Sequence, residues 1–273
     1  MFADLHIHTT ASDGTATPNE IVKKALNIGL QAIAISDHDT LEGVSQAQVS
    51  ASSFKLEVLS GVEISTYFNG HEVHLLGYLI NPEHDEFVTK LRELQGDRLE
   101  RIKKVVAKLE ELKVFISLER VLELSAGGSI GRPHVAQALV ERGYVKTLQE
   151  AFSIYIGQNK PAFIPREKLT PIDAIRLVRK ARGVPVLAHP GMSKIDNYLP
   201  ELIDAGLKGL EVWHRKHNSL LTEHYFKLTQ KHKLIPTGGS DYHGVQHDTC
   251  NVLGSAVAPY ESVRLLKEVA GTV

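Results

Sequence analysis

The amino-acid sequence predicts an α/β protein, a seven-stranded variant of the TIM-like (β/α) barrel with a small helical domain inserted into it. Short β-rich runs alternate with helical runs, which is the pattern of parallel βα units. The 273 residues, 42% of them hydrophobic, are enough to bury the core of one large α/β domain. Residues 94–168 show helical periodicity throughout and no convincing strand pattern. We expect these residues to form an insertion that covers the active site, and residues 1–93 and 169–273 to form the barrel.

The individual elements have clear local signals. Strands are predicted at residues 2–8, 31–36, 56–63, 72–80, 184–189, 208–214 and 234–239. In the first helix, Thr17, Pro18 and Glu20 form a capping-box start with proline at the first helical position, and Gly29 marks the end. The segments TPIDAIRLVRKARG and NSLLTEHYFKLTQKHK carry similar helix signals.

The composition excludes several classes of protein. Lys and Arg number 31 against 32 Asp and Glu, without a basic run, which argues against tight duplex binding but leaves a small anionic substrate open. The single cysteine, Cys250, excludes an internal disulfide framework and fits a reducing cytoplasm. Neither a signal-peptide pattern nor an apolar run near 18 residues occurs, so we expect a cytoplasmic protein without a membrane association. The oligomeric state stays open.

Histidines and carboxylates recur at the predicted strand ends. The opening run DLHIHTTASDG places two histidines on one face of the first strand, because strand side chains alternate. In barrels of this type the active groups lie at the carboxyl ends of the strands and in the loops that follow. The candidate metal ligands are His6, His8, Asp13, His38, Glu63, His74, His189, Asp241 and His243. Nine such groups exceed what one ion uses, which indicates two or three divalent cations (Mn, Fe or Zn) with Glu63 bridging a pair.

A lone histidine near a strand is more often structural than a ligand, and the remaining histidines fit that interpretation. His71, His84, His224, His232 and His247 lie in helices or loops without a pattern. The candidate ligands differ from them, because imidazoles and acids close nearly every strand. This joint pattern argues against chance.

With these motifs assembled, the sequence resembles the PHP family, named for polymerase and histidinol phosphatase domains. The matching motifs are DLHIHTTASDG, AISDHDT, GVEIS, AHPG and GSDYHG. The resemblance implies a distorted (β/α)7 barrel with a trinuclear site and phosphoesterase chemistry. It also implies three ligand sets, which are His6, His8, Glu63 and Asp241; Glu63, His74 and His189; and Asp13, His38 and His243.

Within the family, GRPHVAQAL and EVWHRKH resemble the branch of small stand-alone phosphoesterases. That branch implies action on nucleoside 3',5'-bisphosphates or on the 5' ends of short oligonucleotides. Trp213 and Arg215 depart from the pattern expected there, which leaves fine substrate specificity open.

A mechanism follows as a hypothesis, in which a metal-activated hydroxide attacks phosphorus. His214 is the candidate proton donor, Arg132 the candidate phosphate clamp, and His134 its candidate assistant. Each has a structural alternative: Arg132 as an exposed helix-start residue, and the two histidines as packing or backbone-bonding groups. Asp4 is interpreted either as an acceptor that orients a ligand imidazole or as part of a buried salt bridge.

Two further interpretations compete with a phosphoesterase. A metal-dependent amidohydrolase also begins with His-x-His and ends with a strand-borne aspartate. Asp13 and the Asp241-x-His243 pair argue against it, as does the lack of a lysine in the fourth strand that could bridge two metals as a carbamate. The other alternative is a non-catalytic PHP module that recruits a partner, but such a module would show missing ligands. Residues Asp37 and Asp39 are left out of the site.

Overall fold

The computed structural model describes residues 1–165, 169–244 and 252–271, so His247 and Cys250 lie outside the described residues. Within these ranges the strands form an eight-stranded sheet in the order β7-β6-β5-β4-β3-β2-β1-β8. The strands are β1 Phe2–Ile7, β2 Ala32–Ile35, β3 Glu57–Phe68, β4 His71–Tyr78, β5 Val184–Leu187, β6 Gly209–His214, β7 Ile235–Gly239 and β8 Ala258–Pro259. All seven predicted strands are therefore confirmed, and the two-residue β8 is an addition that pairs antiparallel with β1.

The sheet curls into a nearly closed barrel where the segment after β7 meets β1. Tyr242 forms a bridge with Ile7, and the backbone N–H of His8 donates to the carbonyl of Tyr242 at 2.9 Å. Gly239 permits this approach, because a Cβ atom at that position would overlap the backbone of His6. The closure brings the end of the first strand beside the residues that follow the last parallel strand.

The parallel pairing that the alternating pattern predicts does not extend to β4. This strand runs antiparallel to both β3 and β5. Asn69 and Gly70, with φ values of 47° and 85°, form the two-residue turn between β3 and β4. Asn-Gly is a strong signal for a tight hairpin, and so short a link cannot carry a parallel crossover. His74 consequently lies opposite Ser65, near the carboxyl end of the barrel.

The helices surround the sheet and fill the insertion. They are α1 Pro18–Asn27, α2 Glu42–Ala51, α3 Asp85–Glu111, α4 Leu118–Leu124, α5 Arg132–Glu141, α6 Leu148–Ala151, α7 Pro171–Lys180, α8 Pro190–Ser193, α9 Leu199–Ala205, α10 Ser219–His232 and α11 Tyr260–Ala270, with a π-helical turn at Phe152–Ile156 and a 3₁₀ turn at Asp196–Tyr198. The capping box of α1 is confirmed, because the backbone N–H of Thr17 donates to Glu20 and the backbone N–H of Glu20 donates to Thr17. Among the described residues, no helix has both the length and the apolar character that crossing a membrane requires.

Helix α3 contributes to two hydrophobic cores. Phe87 and Leu94, in its first half, pack among barrel residues. Ile102 and Leu109, in its second half, pack among the helices of the inserted segment. The proposed boundary at residue 94 thus falls inside one continuous 27-residue helix, which ties the insertion to the barrel wall.

Candidate metal centre

The nine predicted ligands converge at the carboxyl end of the barrel. His6 and His8 are fully buried at the base of the cluster. The other seven line a cavity of about 430 Å³ above them: Asp13, His38, Glu63, His74, His189, Asp241 and His243. Because the strands end at one edge, residues as distant in sequence as His8 and His243 become neighbours, with their rings stacked at a centroid distance of 3.9 Å.

The first group of potential ligands is His6, His8, Glu63 and Asp241, whose ligand atoms lie within 4.8 Å of one another. The Nε2 atoms of His6 and His8 lie 3.5 and 3.4 Å from Oδ1 of Asp241. The same two nitrogens lie 3.4 and 3.3 Å from the two oxygens of Glu63. This group matches the first ligand set that the family resemblance implies.

The second group is His8, Asp13, His38 and His243. Nε2 of His243 lies 3.4 Å from Oδ1 of Asp13, and Nε2 of His38 lies 3.8 Å from Oδ2. His8 belongs to this group through Nδ1, 3.7 Å from Asp13, and to the first group through Nε2. Its ring therefore lies between the two groups, whereas the family resemblance places His8 in the first ligand set only.

The third group is His38, Glu63 and His74, so His38 stands in it where the family resemblance implies His189. Nδ1 of His74 and Nδ1 of His38 lie 2.9 and 3.1 Å from the two oxygens of Glu63. Nε2 of His189 lies 3.0 Å from the oxygen that His74 also approaches. Glu63 thus lies against histidines of all three groups, as expected for a bridging carboxylate.

The donor set fits divalent cations. Several buried ring nitrogens make no hydrogen bond among the described residues: Nε2 of His6, both nitrogens of His8, Nδ1 of His38 and Nδ1 of His189. Buried polar atoms normally have partners, and unsatisfied imidazole nitrogens beside carboxylates are the donors that Mn, Fe and Zn take up.

Charge in the cluster is balanced between imidazoles and carboxylates. Burial acts to raise the pKa values of Asp13, Glu63 and Asp241, but the neighbouring histidines outweigh it and hold all three well below the usual range. Burial acts to lower the pKa of His8, but Asp241 and Glu63 raise it to about 10. The carboxylates are therefore ionised and require positive partners, either protons on the imidazoles or cations.

Two aspartates excluded from the site position its loops. Asp37 accepts from the backbone N–H of Thr9 at 2.7 Å and from the Ser12 hydroxyl at 2.6 Å, which shapes the loop that carries Asp13. Asp39, in a left-handed conformation with φ of 53°, accepts from Arg98 of α3 at 2.5 Å. The sequence signal that could have indicated this role is the position of Asp37 and Asp39 on either side of the candidate ligand His38.

Among the described residues, Asp4 takes neither of its expected roles. Its carboxylate accepts from the backbone N–H and hydroxyl of Ser240 at 2.9 and 2.6 Å, from Gly254 N–H at 2.9 Å and from the backbone of His6 at 3.3 Å. It contacts no ligand imidazole, and burial raises its pKa to about 6. Sequence reasoning missed instead Glu211 of β6, which bonds the His6 ring at 2.9 Å.

The three other predicted residues surround the cluster. Arg132, the first residue of α5, lines the cavity with its guanidinium against Glu72 and is mostly buried. His134 is buried, and its Nδ1 accepts from the backbone N–H of Gly131 at 3.0 Å. His214 is buried, with Nε2 at 3.4 Å from Asp241. Arg132 is therefore not an exposed helix-start residue, whereas His134 does make the backbone bond considered for it.

Comparisons with known proteins place this geometry among related enzymes. A family model described as the PHP domain matches residues 4–169. The chain is 32% identical over 247 residues to the 5'-3' exoribonuclease Rnm of Escherichia coli K12, covering 88% of this chain and 84% of that protein. It is 32% identical over 247 residues to the 3',5'-nucleoside bisphosphate phosphatase of Chromobacterium violaceum, covering 88% and 86%. A crystal structure from Bifidobacterium adolescentis, provisionally assigned as a metal-dependent phosphoesterase, superposes with a TM-score of 0.91 at 33% identity, covering 98% and 96%.

Proposed function

The chain belongs to the PHP family and is a metal-dependent hydrolase of phosphate esters, and on this premise we propose that its substrates are nucleotides or short oligonucleotides, such as nucleoside 3',5'-bisphosphates. Two or three Mn, Fe or Zn ions serve the reaction, in the reducing cytoplasm. The observation that carries the proposal is the buried cluster of six imidazoles and three carboxylates with unsatisfied ring nitrogens, opening into a cavity of nucleotide size.

The three ligand groups would hold the cations. His6, His8, Glu63 and Asp241 suit one ion, and Glu63 with His74 suits a second. When bound, the cations supply Lewis acidity, which eases deprotonation of water and offsets negative charge on the phosphate. The remaining steps depend on groups of the protein around the cluster.

Arg132 is proposed to clamp a phosphate of the substrate. Its planar guanidinium matches two phosphate oxygens, and Glu72 orients it toward the cavity that the cluster also lines. His134, two residues later and buried on the same helix, is proposed to assist it.

His214 is proposed to protonate the leaving oxygen. The acid is the imidazolium form of the ring, which becomes neutral imidazole when it donates, and the nitrogen that would give up its proton is Nε2. That atom lies 3.4 Å from Oδ2 of Asp241, at the edge of the cluster. The proton is therefore held beside the place where a phosphate would bind.

The cavity offers cationic side chains to a phosphorylated ligand. Arg98, Arg101, Arg132 and Lys216 line it together with the carboxylates of the cluster, and the three arginines are held in place by Asp39 and Glu72. Its volume of about 430 Å³ lies in the range of small-molecule sites. Strand β4 contains no lysine for a bridging carbamate, which disfavours the amidohydrolase alternative.

The test combines elemental analysis with a phosphate-release panel. The panel contains adenosine 3',5'-bisphosphate, a 5'-phosphorylated RNA dinucleotide, histidinol phosphate and a dihydro-orotate-type amide, each with manganese. We expect two to three metals per chain and phosphate released from the nucleotides. Cleavage of the amide alone would indicate an amidohydrolase. A protein that binds no metal and hydrolyses no substrate would instead be the non-catalytic module.

Substitutions test the cluster directly. His8→Ala and Asp241→Asn should each lose metal and lower the rate by at least roughly 100-fold, as expected when a catalytic cation is displaced. His224→Ala is the matched control, because His224 pairs with Asp196 on the half-exposed surface of α10. Unchanged hydrolysis in either cluster variant contradicts the assignment.

A further inference from the structure

Glu211 of β6 is a fully buried carboxylate that contacts two of the predicted metal-ligand segments. We propose that it is a positioning residue of the metal centre. One carboxylate oxygen fixes the His6 tautomer that has its proton on Nδ1 and leaves Nε2 for the cluster. The other oxygen accepts from the backbone N–H of His189. The inference rests on the proposed function in one respect, that the cluster holds divalent cations.

The first contact determines which nitrogen of His6 is available. Nδ1 of His6 lies 2.9 Å from Oε1 of Glu211, and both side chains are inaccessible to solvent. An ionised carboxylate only accepts hydrogen bonds, so Nδ1 carries the proton of this pair. Nε2 is then the atom left for a cation. It faces Glu63 and Asp241 at 3.4 and 3.5 Å, and it makes no hydrogen bond within the described part of the chain. Carboxylates that hold ligand histidines in this way fix both ring orientation and basicity.

The second contact stabilises an unusual backbone conformation. His189 has φ of 27° and ψ of 58°, in the left-handed region that is unfavourable for non-glycine residues. Its backbone N–H donates to Oε2 of Glu211 at 2.7 Å, a short bond to an ionised acceptor. The sharp turn at this residue ends β5 and directs Nε2 of His189 to within 3.0 Å of Glu63.

One side chain therefore joins three parts of the barrel. Glu211 lies on β6, His6 on β1 and His189 two residues after the end of β5, and both carboxylate oxygens are used. A carboxylate kept out of water needs such bonds, and here both of them end on residues that are predicted metal ligands. A role in packing alone would not require contacts to two predicted ligand residues, which is what Glu211 makes.

Glu211→Gln keeps the shape of the side chain almost unchanged, but an amide cannot satisfy both contacts at once. If the amide oxygen accepts from Nδ1–H of His6, the NH₂ group opposes the N–H of His189. If the amide is reversed, its NH₂ donates to Nδ1 of His6, which moves the ring proton to Nε2, the atom that faces the cluster. Either orientation weakens the centre.

The measurement is metal affinity, by titrating metal-free protein with Mn²⁺ or Zn²⁺ against a competing chelator. We expect Glu211→Gln to bind roughly 10- to 100-fold more weakly than the wild type. Glu57→Gln is the matched control, because Glu57 on β3 bonds Lys267 and Tyr260 away from the cluster. The control should lose stability while keeping the wild-type metal affinity.

A second measurement needs no variant and covers the case in which Glu211→Gln does not fold. In zinc-loaded wild-type protein, ¹⁵N NMR should show a hydrogen-bonded, slowly exchanging proton on Nδ1 of His6. Its absence, or wild-type affinity in Glu211→Gln, overturns the positioning role while leaving the phosphoesterase function intact. If the wild type itself binds no metal, the proposed function fails first and the positioning role with it.

Discussion

Glu72 links the barrel to the inserted helices, and replacing it with glutamine tests that link. Its carboxylate lies between Arg101 of α3, at 2.6 Å, and Arg132 of α5. Glu72→Gln preserves the shape and some hydrogen bonding but removes the charge between two guanidinium groups. We expect the variant to be less stable at neutral pH, with Arg132 less firmly oriented.

The pKa of Glu72 sets the size of the effect. Burial acts to raise this pKa, but Arg132 and Arg101 outweigh it and lower the value from 4.5 to about 2. At about 1.4 kcal/mol per pH unit, such a shift corresponds to roughly 3 kcal/mol of stability at neutral pH. Glutamine retains part of the bonding and the Glu72 side chain is 20% exposed, so we expect a loss of about 1–3 kcal/mol.

The sign of the pH dependence follows from the same shift. The folded-state pKa lies below the unfolded value of 4.5, so the contribution is complete above that pH. It is lost as the pH falls through the folded value of about 2. The stability difference between wild type and Glu72→Gln should therefore shrink as the pH falls below about 4.5.

Urea unfolding of both proteins, repeated across this pH range, measures the difference. Glu93→Gln is the control, because Glu93 forms an exposed pair with Lys90 on α3 at 2.8 Å. An exposed pair of this kind contributes about 1 kcal/mol or less. Equal stabilities of wild type and Glu72→Gln at pH 7, or a difference that does not change down to low pH, would refute the reasoning.

Substitutions at three further residues test other parts of the molecule. Thr17→Ala removes the capping bond to Glu20 at the start of α1 and should lower stability by about 1 kcal/mol in urea unfolding, with unchanged phosphate release. Gly239→Ala places a Cβ against the backbone of His6, so we expect a loss of about 1–3 kcal/mol and a lower metal content by elemental analysis. Arg132→Ala should raise KM for a nucleotide about tenfold at nearly constant metal content, and Arg132→Lys should recover little of it, because lysine lacks the planar fork. Wild-type KM in Arg132→Ala would exclude the clamp.

Local patterns in the sequence were sufficient to predict most of the barrel. The strand runs and the Thr17–Glu20 capping box depend on neighbours within a few residues, and the structure confirms them. The convergence of His6, His8 and Asp241 was also predictable, since parallel strands end at one edge of a barrel. The direction of β4 was missed although Asn69 and Gly70 signalled the hairpin.

Contacts between distant segments could not be predicted in this way. Glu211 occupies an ordinary strand position, and its partner His6 lies 205 residues earlier in the chain. Arg132 was predicted as the phosphate clamp, but Glu72, 60 residues away, was not predicted as its partner. Alternation along a strand indicates which side chains face inward. Which inward-facing groups meet depends on strand register and on the closure of β1 against β7, and those are properties of the folded barrel alone.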